Sequence, residues 1–166
     1  QIDFTNAFVH APINRDVYVS LPAMFGDTSG IDNRTLCLKL NKSLYGLKDA
    51  PKLWADYLAK GLDCCGFVAS PEDAGVFLGR GMAIATYVDD VLFFGPDENE
   101  MEKVITELQS DGFRLKREKN GDDTVYNFLG IHIEVDNDTI KMTKLGLIKK
   151  FLTLVNMDMC NNKEPP

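Results

Sequence analysis

The sequence predicts an α+β fold in which two helices cover one face of an antiparallel sheet. Three observations carry this. Several short runs alternate apolar and polar residues between Gly, Asp and Asn. Two longer stretches repeat apolar residues at three- and four-residue steps. These segments follow one another in the order β, α, β, β, β, α, β, a βαββαβ-like plan. The chain has 166 residues, 45% hydrophobic and 26% charged, an ordinary globular composition and enough for one core. It is read as a single domain, residues 1–166.

Taken in order, Ile2–Val9 is apolar-rich and is expected as the first strand. Val17–Leu21 and Leu36–Leu40 alternate as short strands do, and Gly26–Asn33 between them has loop composition. Pro51 suits a first helical turn. Leu53, Trp54, Tyr57, Leu58, Leu62 and Cys65 then form one apolar stripe that ends at Gly66. Gly75–Leu78 and Met82–Tyr87 read as strands joined through Gly79-Arg80-Gly81. Val91–Phe94 is another strand, which puts Val88-Asp89-Asp90 at the turn before it. Asp97–Asp111 is the second helix: Met101, Val104, Ile105 and Leu108 face inward, acidic residues occupy its N-terminal end, and Gly112 stops it. Phe113–Lys116 resumes as a strand. Phe128–Val135 and Thr139–Thr143 are expected to pair as a hairpin over Asp136-Asn137-Asp138, before a short helix at Leu145–Leu154.

Composition narrows the function. No apolar run approaches the ~18 residues of a membrane-spanning helix, so no membrane role is expected. The chain opens on Gln1 without a secretory signal and closes on Lys163-Glu164-Pro165-Pro166, which reads as a segment of a longer polypeptide. Cys37, Cys64, Cys65 and Cys160 lack metal-ligand spacing and are expected as buried, reduced thiols of an intracellular protein. His10 and His132 have no zinc-site partner and are read as surface or satisfied core residues. The net charge of −7 argues, taken alone, against a nucleic-acid binder, although Arg34–Lys52, Arg114–Lys119 and Lys141–Lys150 lean basic.

The informative feature is acidic. Asp89 and Asp90 stand side by side between two apolar strands, where adjacent carboxylates are unfavourable unless a cation neutralises them. Asp3 lies within another apolar run, and a βαββαβ sheet sets its first and third strands side by side, which brings Asp3 towards Asp89. Three carboxylates without His or Cys form a hard oxygen set suited to Mg²⁺. Asp-Asp is also ordinary turn chemistry, and spacing alone leaves both readings open.

Four segments carry a resemblance. Tyr87-Val88-Asp89-Asp90 resembles the Y-x-D-D signature of reverse transcriptases, and Gln1-Ile2-Asp3-Phe4-Thr5-Asn6-Ala7-Phe8 their first carboxylate motif. Lys42-Ser43-Leu44-Tyr45-Gly46-Leu47-Lys48-Asp49-Ala50-Pro51-Lys52-Leu53-Trp54 is similar to the KSLYGLKQAPRxW run of copia-type LTR retrotransposon polyproteins. Phe128-Leu129-Gly130-Ile131-His132-Ile133 resembles their FLGxxI segment. The segments keep the family's order and spacing. Asp49 in place of Gln or Glu, Lys52 in place of Arg, and His10-Ala11-Pro12 after the first motif depart from it.

The resemblance implies a polymerase palm with a ferredoxin-like sheet, RNA-directed DNA polymerase activity, and as partners an RNA or DNA template with primer, dNTPs, and flanking fingers, thumb and RNase H regions. It implies Asp3, Asp89 and Asp90 as catalytic carboxylates for two Mg²⁺ ions, with Mn²⁺ as a substitute, and Phe4 backbone assisting a metal or the triphosphate. Phe8 is implied as the ring that screens the sugar 2′ position, Tyr45, Gly46, Lys48 and Tyr87 as neighbours of the nucleotide, and Phe128, Leu129, Gly130 and Ile131 as the primer grip. Lys116 and Lys119 are candidates for protonating pyrophosphate, with a solvated strand lysine the stronger reading. The implied location is intracellular: a cytoplasmic virus-like particle, with a nuclear phase allowed. The alternative is a folded, inert retrotransposon remnant, at most an interaction module. The isolated segment is expected to be nearly inactive.

Overall fold

The structure, a computed structural model, describes residues 1–22, 36–118, 124–136 and 139–157. The loop expected at Gly26–Asn33, Lys119, the hairpin residues Asn137-Asp138 and Cys160 lie outside the described residues. The fold is mixed α/β, with antiparallel sheets and three α-helices among the described residues. The chain divides into two compact units, Ile2–Lys116 and Arg117–Pro166 with Gln1.

In the first unit, β1 (Ile2–Phe4) is followed by a 3₁₀ turn at Ala7–His10. β2 (Tyr18–Ser20) and β3 (Cys37–Lys39) pair as a two-stranded ribbon, within the two alternating runs. Next come α1 (Ala50–Cys64), β4 (Val68–Ala69), β5 (Val76–Gly79), β6 (Met82–Tyr87), β7 (Asp90–Phe94), α2 (Glu98–Ser110) and β8 (Leu115–Arg117). The main sheet runs β4-β5-β6-β7-β1-β8. Ile2 and Phe4 of β1, Ile84 of β6, and Val91 and Phe93 of β7 form one core with Trp54, Leu58 and Leu62 of α1 and Val104, Ile105 and Leu108 of α2. These are the residues of the two periodic stripes and the inward positions of the alternating strands. Both helices therefore share one apolar core with the sheet.

The first strand is shorter than its apolar run predicts. It stops at Phe4 because Asn6 turns the backbone left-handed (φ 56°), and Ala7 and His10, three residues apart, are then buried as a helical turn buries them. The strand expected at Phe113–Lys116 begins at Leu115, because Phe113 belongs to the end of α2. Gly112 takes φ 90°, its N–H donates to the Gln109 carbonyl (3.0 Å), and the Phe113 N–H donates to the Leu108 carbonyl (3.0 Å). That closure folds Phe113 back into the core. α1 ends the same way through Gly66 and Phe67. β4, which the sequence does not announce, follows directly and pairs with β5.

His10 is a satisfied core histidine. It is buried, its Nε2 lies 3.1 Å from the Thr5 carbonyl oxygen, and its ring stacks on Phe113 (centroids 5.9 Å apart). Burial lowers its pKa below the ordinary 6.5; the Thr5 contact opposes this, and the charges of Arg114 and Lys42 add to it. Below pH 6.5 the unfolded chain therefore binds a proton that the folded chain resists. This residue's contribution to stability is complete above pH 6.5 and declines as the solution becomes more acid. Thermal melts of His10→Phe are expected to show a smaller loss of Tm between pH 7.5 and pH 5.5 than the parent, and an equal loss would exclude His10 as a source. Of the cysteines, Cys65 is buried, with its thiol pushed up to about 11 by burial and Glu107, but Cys37 and Cys64 are exposed, contrary to expectation. Both lie outside the apolar core, one on the ribbon and one at the end of α1. No helix among the described residues is long and apolar enough to cross a membrane.

In the second unit, β9 (Val125–Phe128), β10 (Ile131–Asp136) and β11 (Thr139–Thr143) form an antiparallel sheet in the order β11-β10-β9, and α3 (Leu145–Leu154) follows. The strand expected at Phe128–Val135 is broken. Leu129 and Gly130 both have positive φ (52° and 73°) and make a two-residue hairpin turn. His132 is partly exposed, between Asn127 and Glu134.

Candidate active site

Alternation along two neighbouring strands builds the site. Ile2 and Phe4 point into the core, so Asp3 between them faces the other side of the sheet. On β7, Val91 and Phe93 point into the core and Asp90 faces the other side. β1 and β7 are antiparallel, with Ile2 opposite Val91 and Asp3 opposite Asp90. Directly opposed residues share a face with Cβ atoms about 5 Å apart, and like charges in that relation repel. The Lys116 ammonium on β8 offsets part of this repulsion, 3.3 Å from Asp3 Oδ2, with 67% of its side chain exposed.

Asp89 comes from the connection. Tyr87 pairs with Asp90, so Val88 and Asp89 alone form the β6–β7 turn. Val88 has φ 54°, a left-handed conformation that a β-branched residue adopts only under constraint. Both turn carbonyls are held. The Phe4 N–H donates to the Asp89 carbonyl (2.9 Å), and the Trp54 indole N–H donates to the Val88 carbonyl (2.6 Å). The Phe4 and Trp54 rings meet edge to face at 5.1 Å.

The other residues singled out in this unit flank the turn or the 3₁₀ segment. Phe8 is half-buried, and its ring centroid lies 4.7 Å from that of exposed Tyr45. Gly46 adopts φ 94°, with nothing crowding the position a Cβ would take. Lys48 is exposed, as is Tyr87. Phe8, Pro51, Trp54, Tyr87 and Val88 line part of a cleft of about 250 Å³. Asp49, one of the departures from the family run, carries a bidentate pair with Arg15 (2.9 and 3.1 Å), which holds its carboxyl below the usual range. In the second unit, Phe128 is buried, Leu129 and Gly130 are the hairpin turn, and Ile131 opens β10.

The structure thus sets Asp3 opposite Asp90 on the paired strands β1 and β7, ties Phe4 to Asp89 of the adjoining β6–β7 turn through one backbone hydrogen bond, and sets Phe8 against Tyr45. Among the described residues, no three His, Cys, Asp or Glu side chains converge to enclose an ion. The strand register supplies a facing pair of carboxylates instead. That pair fits Mg²⁺, which is commonly held by one or two carboxylates together with waters and substrate phosphates. Trp54 is the residue the sequence undervalues: its place on the apolar stripe assigns it to the core, and its bond to the turn is extra. The available signal is that a buried indole needs an acceptor.

The chain is a member of the reverse transcriptase (RNA-dependent DNA polymerase) family, whose profile matches residues 1–166. It is 34% identical over 161 residues to the retrovirus-related Pol polyprotein from transposon RE1 of Arabidopsis thaliana, covering 95% of this chain and 10% of that protein. It is 36% identical over 135 residues to the corresponding polyprotein from transposon RE2, covering 79% of this chain and 9% of that protein. The resemblance to copia-type elements is thereby borne out. The chain spans about a tenth of the length of these curated relatives. No solved structure matches it significantly.

Proposed function

We propose that residues 1–166 are the palm of a copia-type reverse transcriptase, which transfers a nucleotide from a dNTP to a primer 3′-hydroxyl on an RNA or DNA template. The observation that carries this is the register of Asp3 against Asp90 beside the Val88-Asp89 turn. The strand order β8-β1-β7-β6, with α1 and α2 in the crossovers, supports a ferredoxin-like palm.

On this reading Asp3, Asp89 and Asp90 hold two divalent ions. Mg²⁺ held by these residues would supply charge neutralisation at the primer hydroxyl and the phosphates. The chain's part is placement. The paired strands fix Asp3 and Asp90, and the two held carbonyls fix the turn that carries Asp89. The Phe4 N–H is committed to that turn, and Phe4 bounds the ion site through the rest of its backbone. Phe8, backed by Tyr45, would exclude a ribose 2′-hydroxyl, and Gly46, Lys48 and Tyr87 would border the nucleotide. The Phe128–Ile131 hairpin of the second unit grips the primer terminus. Fingers, thumb and RNase H regions of the same polyprotein complete the enzyme, in a cytoplasmic particle.

The test is primer extension by the complete reverse transcriptase that contains this chain, on an RNA template with Mg²⁺ and dNTPs. Absence of DNA product from well-folded enzyme would overturn the reading. A second measurement addresses Phe8. Removing one close contact changes discrimination by about 10- to 100-fold. Phe8→Ala is therefore expected to lower the preference for dCTP over CTP by that factor while leaving dCTP incorporation within about threefold. An unchanged preference would remove Phe8 from the sugar gate.

A further inference from the structure

We propose that Trp54 is a positioning residue for the Tyr87–Asp90 turn: its indole N–H, by holding the Val88 carbonyl, sets the aim of Asp89 and with it the affinity of the site for divalent ions. The proposal rests on the polymerase reading above and names a residue through which that site is tuned.

Packing alone does not account for this residue. Trp54 is 2% exposed and fills the core between α1 and β1, which a phenylalanine ring could largely do. What only tryptophan supplies there is a donor. That donor does not serve its own helix: it reaches a residue 34 positions away, across 2.6 Å, at a turn whose first residue is a β-branched valine with φ 54°. Such a conformation relaxes unless neighbours over-determine it. The Val88 carbonyl belongs to the same peptide plane as the Asp89 N–H, so rotation of that plane changes Asp89 φ and swings its carboxylate. The Asp89 carbonyl, on the next plane, is held by Phe4, whose ring leans on Trp54. One side chain therefore touches the residue after Asp3 and anchors the residue before Asp89. A change at Trp54 reaches both halves of the carboxylate site without touching substrate.

The test uses the complete reverse transcriptase with Trp54→Phe, which keeps an aromatic ring and deletes the donor. Leu62→Ala serves as a control of comparable destabilisation in the same helix, remote from the turn. Loss of one constrained hydrogen bond to the turn is expected to lower kcat for RNA-templated extension about tenfold, with KM for dNTP within about twofold. The Mg²⁺ concentration for half-maximal rate should rise several-fold in Trp54→Phe and stay at the parent value in Leu62→Ala. Without substrate, Mn²⁺ binding followed by electron paramagnetic resonance should weaken. Hydrogen exchange of the peptide spanning residues 87–91 should accelerate about tenfold in Trp54→Phe alone. If Trp54→Phe does not fold, 3-benzothienylalanine at position 54 keeps the bicyclic shape without the N–H and gives the same readouts. Unchanged Mg²⁺ dependence, Mn²⁺ binding and exchange, in an enzyme that Asp89→Asn inactivates, would overturn the proposal and leave the polymerase reading standing. A parent enzyme that extends no primer would overturn that reading, and the exchange and Mn²⁺ measurements would then still decide the role of Trp54.

Discussion

Asp89→Asn in the complete enzyme is expected to lower kcat for RNA-templated DNA synthesis by about 10³-fold or more, with Tm within about 3 °C of the parent. The two halves of this prediction have separate causes. Asparagine has the shape of aspartate and retains an acceptor oxygen, so the two-residue turn, whose backbone carbonyls are held by Phe4 and Trp54, is undisturbed. The change removes one negative charge from a place where Asp3 already faces Asp90, and the relief of like-charge repulsion opposes any loss of stability. On the proposed reading, what would be lost is a hard anionic ligand for the divalent ions, a transition-state interaction that would appear in kcat. Primer extension and a thermal melt on the same preparation check both halves. Retained synthesis would remove Asp89 from the catalytic set, and a collapsed melt would show that its charge is structural.

Gly79→Ala is expected to destabilise the protein by about 2–4 kcal/mol, lowering Tm by roughly 5–12 °C. A Cβ at Gly79 would lie 2.2 Å from the Gly66 carbonyl oxygen and 2.9 Å from the Phe67 Cα. Both obstacles are backbone, and neither moves cheaply. Gly66 is the left-handed residue that closes α1, and Phe67 is fully buried and bonded back to Leu62. Gly79 itself is the last residue of β5, paired with Met82 at the start of the hairpin. Relief would have to come from separating β5 from the end of α1. Urea unfolding checks this, with Gly46→Ala as the comparison. Gly46 lies in a loop with its Cβ position open, so that variant carries only the strain of its φ of 94°. A Gly79→Ala midpoint equal to the parent's would show that the end of α1 yields.

These cases mark where sequence reading works. Leu53, Trp54, Leu58 and Leu62 announce α1 because three- and four-residue spacing has one geometrical meaning, and Met82–Tyr87 announces β6 because a short apolar run that follows a Gly-rich turn has another. The run after Asp3 misleads for the same reason. Ala7, Phe8 and Val9 are apolar enough for a strand, but the left-handed turn at Asn6 and the burial of Ala7 and His10 make it 3₁₀. The break of Phe128–Val135 at Leu129-Gly130 is not visible in the sequence, because a leucine in the left-handed region leaves no trace in composition. Asp3, Asp89 and Asp90 were legible as residue types and through the likeness to a family. Their pairing as neighbours was legible only through an assumed strand order.

By itself, the sequence determined the helices, most of the strands, the apolar faces and the family, because hydrophobic periodicity and short motifs are local properties of the chain. Only the tertiary structure decided that Asp3 faces Asp90, that Val88 is held in a left-handed turn, and that the Trp54 indole reaches its carbonyl. Register, backbone strain and a hydrogen bond between distant residues depend on how separate elements pack, and packing is a property of the whole core.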